Sequence, residues 1–136
     1  MLFVMTKNFK IIEFPIHTDA RGTLVPVEFS ALPFEPKRIY YLYDSKETRG
    51  AHAHLIEEEV FVCIKGKCRA LIDPDGTGKQ EIWLDNAKKA IYCGTHCWHE
   101  FNSFSNDAVL LAISSTPYLP GERNYVMEYE EKRLLP

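Results

Sequence analysis

The segment Arg49-Gly50-Ala51-His52-Ala53-His54 sets two imidazoles one residue apart, just after an arginine. If it is extended, alternate side chains share a face and both rings enter one pocket. An imidazole, with an ordinary pKa of about 6.5, takes and returns a proton near neutrality, and its neutral form also binds metals. The arginine adds a planar fork of donors suited to a phosphate. Glu59 follows His54, and a later histidine, His99, lies in Gly94-Thr95-His96-Cys97-Trp98-His99-Glu100-Phe101-Asn102. Proton transfer is the first chemistry these types support. His52, His54, Glu59 and His99 would also make a three-histidine, one-carboxylate ligand set, so metal chemistry stays open on residue types alone. Cys93 and Cys97 stand near His96 and His99. Without a second C-x-x-C-like pair, Cys63, Cys68, Cys93 and Cys97 read better as reduced, buried small residues than as zinc ligands.

The elements that must position these residues are strands. The chain is a succession of short β-branched and aromatic runs, each closed by Gly, Pro, Asp or Asn. The runs predict strands at Phe9–Ile16, Thr23–Phe29, Arg38–Tyr43, Gly50–His54, Val60–Ile64, Cys68–Ile72, Glu81–Leu84, Ala90–Cys93, His99–Phe104 and Val109–Ser114. That spacing means a sandwich or barrel. Asp73-Pro74-Asp75-Gly76-Thr77-Gly78 is turn chemistry and predicts a hairpin. It is neither a phosphate loop, because Gln80 follows Gly78-Lys79, nor an EF-hand, because Leu84 takes the place of the final Glu. Only the tail, Tyr125 to Leu135, reads as helical, with Glu128, Glu130, Glu131, Lys132 and Arg133 as a solvated face.

A chain of 136 residues is about one domain's worth, and an apolar fraction of 46% is enough to fold around one core. A net charge of −3 gives no broad basic surface for nucleic acid, while leaving room for a local basic pocket. The apolar Met1-Leu2-Phe3-Val4-Met5 is too short for a secretory core, and no run approaches membrane-spanning length. A cytoplasmic protein is expected.

The spacing His52-x-His54-x4-Glu59-x6-Gly66 is that of the first cupin motif, and Gly94 to Asn102 resembles the second. The leading Gly of the first motif and the Pro of the second are missing. Nearly end to end, the chain resembles the dTDP-4-keto-6-deoxyglucose 3,4-ketoisomerases, the WxcM-like cupins. The resemblance rests on Asp19-Ala20-Arg21-Gly22-Thr23-Leu24, Pro33-Phe34, Lys37-Arg38-Ile39-Tyr40-Tyr41, Thr48 to His54, Val62-Cys63-Ile64-Lys65-Gly66 and Trp98-His99-Glu100. Near the end, Glu122-Arg123-Asn124-Tyr125-Val126 replaces the family's usual Asp-Tyr-Ile-Arg segment.

The resemblance implies an all-β cupin (jelly-roll) barrel with a short C-terminal helix. It implies an isomerase that moves a proton between C3 and C4 of a dTDP-linked 4-keto-6-deoxyhexose, with no cofactor and no metal. His52 maps to the family's favoured base, with His54 and Tyr40 polarising the developing oxyanion and Arg49 meeting the diphosphate. Arg21 and His99 match galacto-forming members, where gluco-forming relatives tend to carry tyrosine and arginine. A 3-keto-6-deoxygalactose product would then feed an aminotransferase, toward an amino sugar of a lipopolysaccharide or S-layer glycan. The family also implies a homodimer that exchanges N-terminal strands, for which Phe9–Ile16 could serve. Three rival readings remain: a dTDP-sugar 3,5-epimerase, usually built on one histidine paired with aspartate; a metal-dependent cupin; and a non-catalytic sugar-nucleotide-binding cupin.

Overall fold

The β-branched and aromatic runs become strands in the computed structural model, which describes residues 6–121 and 123–136. In chain order they are β1 (Phe9–Glu13), β2 (His17–Asp19), β3 (Gly22–Leu24), β4 (Arg38–Tyr43), β5 (Arg49–His54), β6 (Glu59–Lys65), β7 (Cys68–Asp73), β8 (Gln80–Leu84), β9 (Lys89–Cys93), β10 (Trp98–Asn102), β11 (Val109–Ser114) and β12 (Tyr125–Val126), followed by the helix α1 (Tyr129–Arg133). Two five-stranded sheets, ordered β1-β9-β6-β11-β4 and β12-β5-β10-β7-β8, face each other as the jelly-roll barrel the sequence predicts, and β2-β3 pair only with each other. Phe9, Phe61, Ile72, Leu84, Phe101 and Leu110 fill the space between the sheets. The outer face of the first sheet is buried as well, because Val60, Val62 and Ile113 pack under Phe14 and Leu32. This second layer explains why β6 is a continuous apolar run instead of an alternating one.

The differences from the sequence reading have local causes. The expected strand Thr23–Phe29 ends at Leu24; Pro26 lacks a donor, and Val25 and Val27 pack on the outer cluster instead of pairing. The turn at Asp73 to Gly78 does join the antiparallel pair β7-β8, as a longer loop in which Gly76 and Gly78 take positive φ. The tail is the main correction. Tyr125 and Val126 are extended and pair with β5, and helix begins only after Glu128, whose backbone is also extended. Lys132 is not on a solvated face: it is buried and donates to the Pro74 carbonyl at 3.3 Å. Met1 to Met5 lie outside the described residues. Among the described residues, no helix is long and apolar enough to cross a membrane.

Candidate active site

β5 carries a bulge immediately before its histidines. His99 of β10 lies opposite His52 and Glu100 opposite Gly50, which leaves Ala51 as the extra residue. Gly50 and Ala51 both hold positive φ, 77° and 60°. A Cβ on Gly50 would sit 3.0 Å from the His99 carbonyl oxygen, so the close approach of the two strands needs glycine. Past the bulge the alternation resumes, and His52 and His54 stack with ring centroids 4.7 Å apart and planes 30° apart. His99 meets them edge-on, at 4.8 Å from His52 and 5.1 Å from His54.

Glu59, the first residue of β6, is fully buried beneath this cluster. Its Oε1 lies 3.1 Å from His54 Nδ1 and 3.7 Å from His99 Nε2. Neither approach meets the geometry of a hydrogen bond, so these buried atoms are left without a hydrogen-bond partner. Glu59 Oε2 accepts from the Tyr40 hydroxyl at 2.5 Å. Burial, and then the charge of His54, pull the His52 pKa down to about 3. Burial holds His99 well below the usual histidine range, helped by the two neighbouring imidazoles. Burial and the Glu59 carboxylate push the Tyr40 phenol up, so it remains a donor. At neutral pH the cluster therefore holds His52 and His99 as uncharged rings.

A cavity of about 110 Å³ opens on this chemistry, lined by Tyr40, Leu42, Arg49, Gly50, His52, Phe61, His99, Phe101 and Leu110. It has room for the reacting carbons of a sugar and not for a nucleotide. Arg49 also borders an outer groove of about 440 Å³ formed with Tyr41 to Glu47. A larger cavity of about 640 Å³ lies between Asn8, Glu58, Pro74 and Pro136 and contains none of the three clustered histidines.

The family profile described as FdtA, WxcM-like, C-terminal, matches residues 7–133. The chain belongs to this family. It is 42% identical over 124 residues, 89% of its length and 87% of the relative's, to a TDP-4-oxo-6-deoxy-alpha-D-glucose-3,4-oxoisomerase of Aneurinibacillus thermoaerophilus. A 3,4-ketoisomerase from Helicobacter canadensis superposes with a TM-score of 0.83 at 37% identity, over 92% of this chain and 94% of that one. The sugar 3,4-ketoisomerase QdtA from Thermoanaerobacterium thermosaccharolyticum, solved in complex with TDP, gives 0.84 at 30% identity over 95% and 94%.

In this WxcM-like chain, the fold brings His52, His54, His99, Tyr40 and Arg49 to one end of the barrel. Arg21 is not brought there: it stands exposed beyond β2, paired with Asp19 at 2.5 Å, and borders only its own hairpin. The ligand atoms of His52, His54 and His99 lie within 4.8 Å of one another, as do those of His54, Glu57 and Glu59. The first set, with Glu59 beside it, has the types and spacing to hold a divalent ion, which would act as a Lewis acid toward a keto oxygen. Among the described residues no cysteine joins either cluster, and all four thiols are free and buried.

Three residues beside the site escape the sequence reading. Glu57 is buried, accepting from Arg38 at 2.8 Å, Ser114 at 2.6 Å and the Asn124 amide at 3.0 Å. Asn124 Oδ1 in turn accepts from the backbone N–H groups of Ile56 and Glu57. Tyr125 stands edge-on to His52 and His54. Glu57 lies two residues before the motif residue Glu59, and the one available signal is that residues 57 and 59 share a face just after the His-x-His pair.

Proposed function

We propose that the chain converts dTDP-4-keto-6-deoxy-D-glucose to dTDP-3-keto-6-deoxy-D-galactose by proton transfer between C3 and C4. The observation that carries this reading is the cluster of three packed imidazoles on a buried carboxylate, in a member of the WxcM-like family. The reaction moves protons and no net electrons. His52, uncharged and lining the cavity, takes the C3 proton. The C4 oxygen gains that charge and is protonated, giving the 3,4-enediol; a proton then adds at C4 while the O3 proton leaves, so C3 becomes the ketone.

His54 and Tyr40 are the proposed partners of the developing oxyanion. Tyr40 gives its hydrogen to Glu59 in the free protein, so serving the substrate requires that bond to be redirected on binding. Arg49, bordering both the small cavity and the outer groove, is placed for the diphosphate while the sugar enters the cavity. His99 orients the ring from the cavity wall. The 3,5-epimerase reading fits less well, because the carboxylate beside the imidazoles is Glu59 and no aspartate joins the histidine cluster among the described residues.

The galacto product, cytoplasmic location, homodimeric state and place in surface-glycan synthesis belong to this proposal. Arg21 and His99 support the galacto assignment. The unengaged β2-β3 hairpin supports exchange with a second copy, which would carry Arg21 to the other chain's site. Of the expected exchange segment Phe9–Ile16, Phe9–Glu13 pairs with β9 of its own chain as an edge strand of the first sheet. Incubation with dTDP-4-keto-6-deoxyglucose, followed by proton NMR, tests the function. Loss of the C3 proton and a 4-hydroxy, 3-keto product with galacto couplings are expected. A gluco product refutes only the stereochemical assignment, whereas no conversion by folded protein refutes the enzyme and leaves a binding module.

A further inference from the structure

The pose of the His52 and His54 rings is not set by hydrogen bonds. Both nitrogens of His54 are buried without a hydrogen-bond partner, and none of the described side chains bonds His52; only His99 is tied, through Nδ1 to the Cys97 carbonyl at 3.1 Å. The imidazole torsion about Cβ–Cγ is broad, so an unbonded ring is held by what packs on it. On one side of the stacked pair stands His99. On the other is Tyr125, whose ring centroid lies 5.0 Å from His52 at 78° and 4.9 Å from His54 at 81°. Such edge-to-face contacts prefer definite geometries, and one ring touching both imidazoles fixes them relative to each other.

Tyr125 is itself held firmly. It pairs in register with His54, and the preceding Asn124 is bonded to three consecutive residues of the β5-β6 connection. Leu55 N–H donates to its carbonyl at 2.6 Å, while Ile56 and Glu57 donate to its Oδ1. The Asn124 amide donates to Glu57, which Arg38 and Ser114 hold from the opposite sheet. The next residue, Val126, is buried against Ala53 and Trp98. Tyr125, like His54, is not among the residues lining the small cavity, and its contacts at the site are with the two histidines.

We propose that Tyr125 is a positioning residue for the isomerisation, its ring, clamped through Asn124, fixing the stacked pose of His52 and His54 while its hydroxyl takes no part. This rests on the ketoisomerase reading. A misplacement near 1 Å at a reacting group costs on the order of 100-fold in rate. Tyr125→Phe is therefore expected to keep kcat within about threefold, and Tyr125→Leu to lower it by on the order of 100-fold, with dTDP affinity unchanged.

The imidazole resonances of histidine-labelled protein, recorded without substrate, should shift in Tyr125→Leu and stay in place in Tyr125→Phe. Loss of activity by Tyr125→Phe equal to that of Tyr125→Leu would overturn the inference in favour of a catalytic hydroxyl. Wild-type kcat in a folded Tyr125→Leu protein would overturn it as well. If Tyr125→Leu does not fold, Tyr125→Met, which keeps the bulk and removes the ring, is read by the same kcat and imidazole resonances, and wild-type values for both would overturn the inference. Because those resonances need no turnover, failure of the wild type to isomerise the sugar would sink the proposed function separately.

Discussion

His52, His54 and His99 share the barrel end with the fully buried carboxylate of Glu59, and that grouping sets the chemistry at the residue scale. If His52 is the base, His52→Asn removes about two to four orders of magnitude in rate and leaves dTDP binding intact, as steady-state kinetics and calorimetry would read. Near-normal turnover would remove His52 from that role. If Arg49 meets the diphosphate as proposed, Arg49→Ala should instead weaken dTDP binding by about 1.5–3 kcal/mol through the loss of a charge-assisted contact. The lowered pKa values of His52 and His99 also predict a pH dependence of stability. Below about pH 6.5 the unfolded chain binds protons that the folded rings refuse, so stability falls with pH by about 1.4 kcal/mol per unit for each ring, down to about pH 3 for His52. Chemical unfolding from pH 7.5 to 5 would show it, and a flat profile would mean that the rings are protonated when folded. Exhaustive chelation should leave turnover unchanged. Loss on chelation with rescue by a divalent ion would make the histidines ligands.

At the element scale, the bulge in β5 aims the site. A regular strand would keep the pairing of Gly50 and His52 in step with Glu100 and Trp98; the extra Ala51 instead brings His52 opposite His99. Gly50→Ala should cost about 1–3 kcal/mol, because alanine is strained at that φ and its Cβ crowds the His99 carbonyl. Thermal melting checks the cost, and kcat should fall further than stability alone explains if the bulge aims the histidines. A Gly50→Ala protein with normal melting and normal kcat would show that the bulge tolerates an ordinary residue. The tail is a second positioning element. Tyr129 donates to Asp73 at 2.6 Å and Arg133 to the Gly76 carbonyl at 3.0 Å, which anchors α1 on the β7-β8 loop and keeps β12 against β5.

For the whole molecule, the informative feature is what one chain leaves open. Every residue of β2 and β3 is exposed, and the hairpin joins neither five-stranded sheet. Ile39, Tyr41 and Tyr43 are exposed together along β4, an edge strand. An unpaired edge with an apolar face is poorly suited to water, and a second copy is the partner proposed above. If the hairpin crosses between copies, Arg21 serves the neighbour's histidines. Co-expressing Arg21→Ala with His52→Asn should then regain activity that neither variant has, because a mixed dimer contains one intact site. A mixture as inactive as its parents would place Arg21 at its own chain's site, and a fully active Arg21→Ala protein would place it at none.

What the sequence by itself determined is what short-range physics encodes. Period-two alternation put His52 and His54 on one face, and breakers bounded β4 and β11 at the residues observed. The family resemblance, carried by local motifs, gave the barrel. Tertiary structure alone decided which strands meet and what each encloses. Glu57 became a buried anchor because Arg38, Ser114 and Asn124, far apart in the chain, converge on it. Tyr125 left an apparently helical tail to pair with His54 because β5 offered a free edge there. Arg21 stood apart from the histidines because its hairpin found no strand of this chain to join. Pairing partners and burial depend on residues distant in sequence, and no local pattern records them.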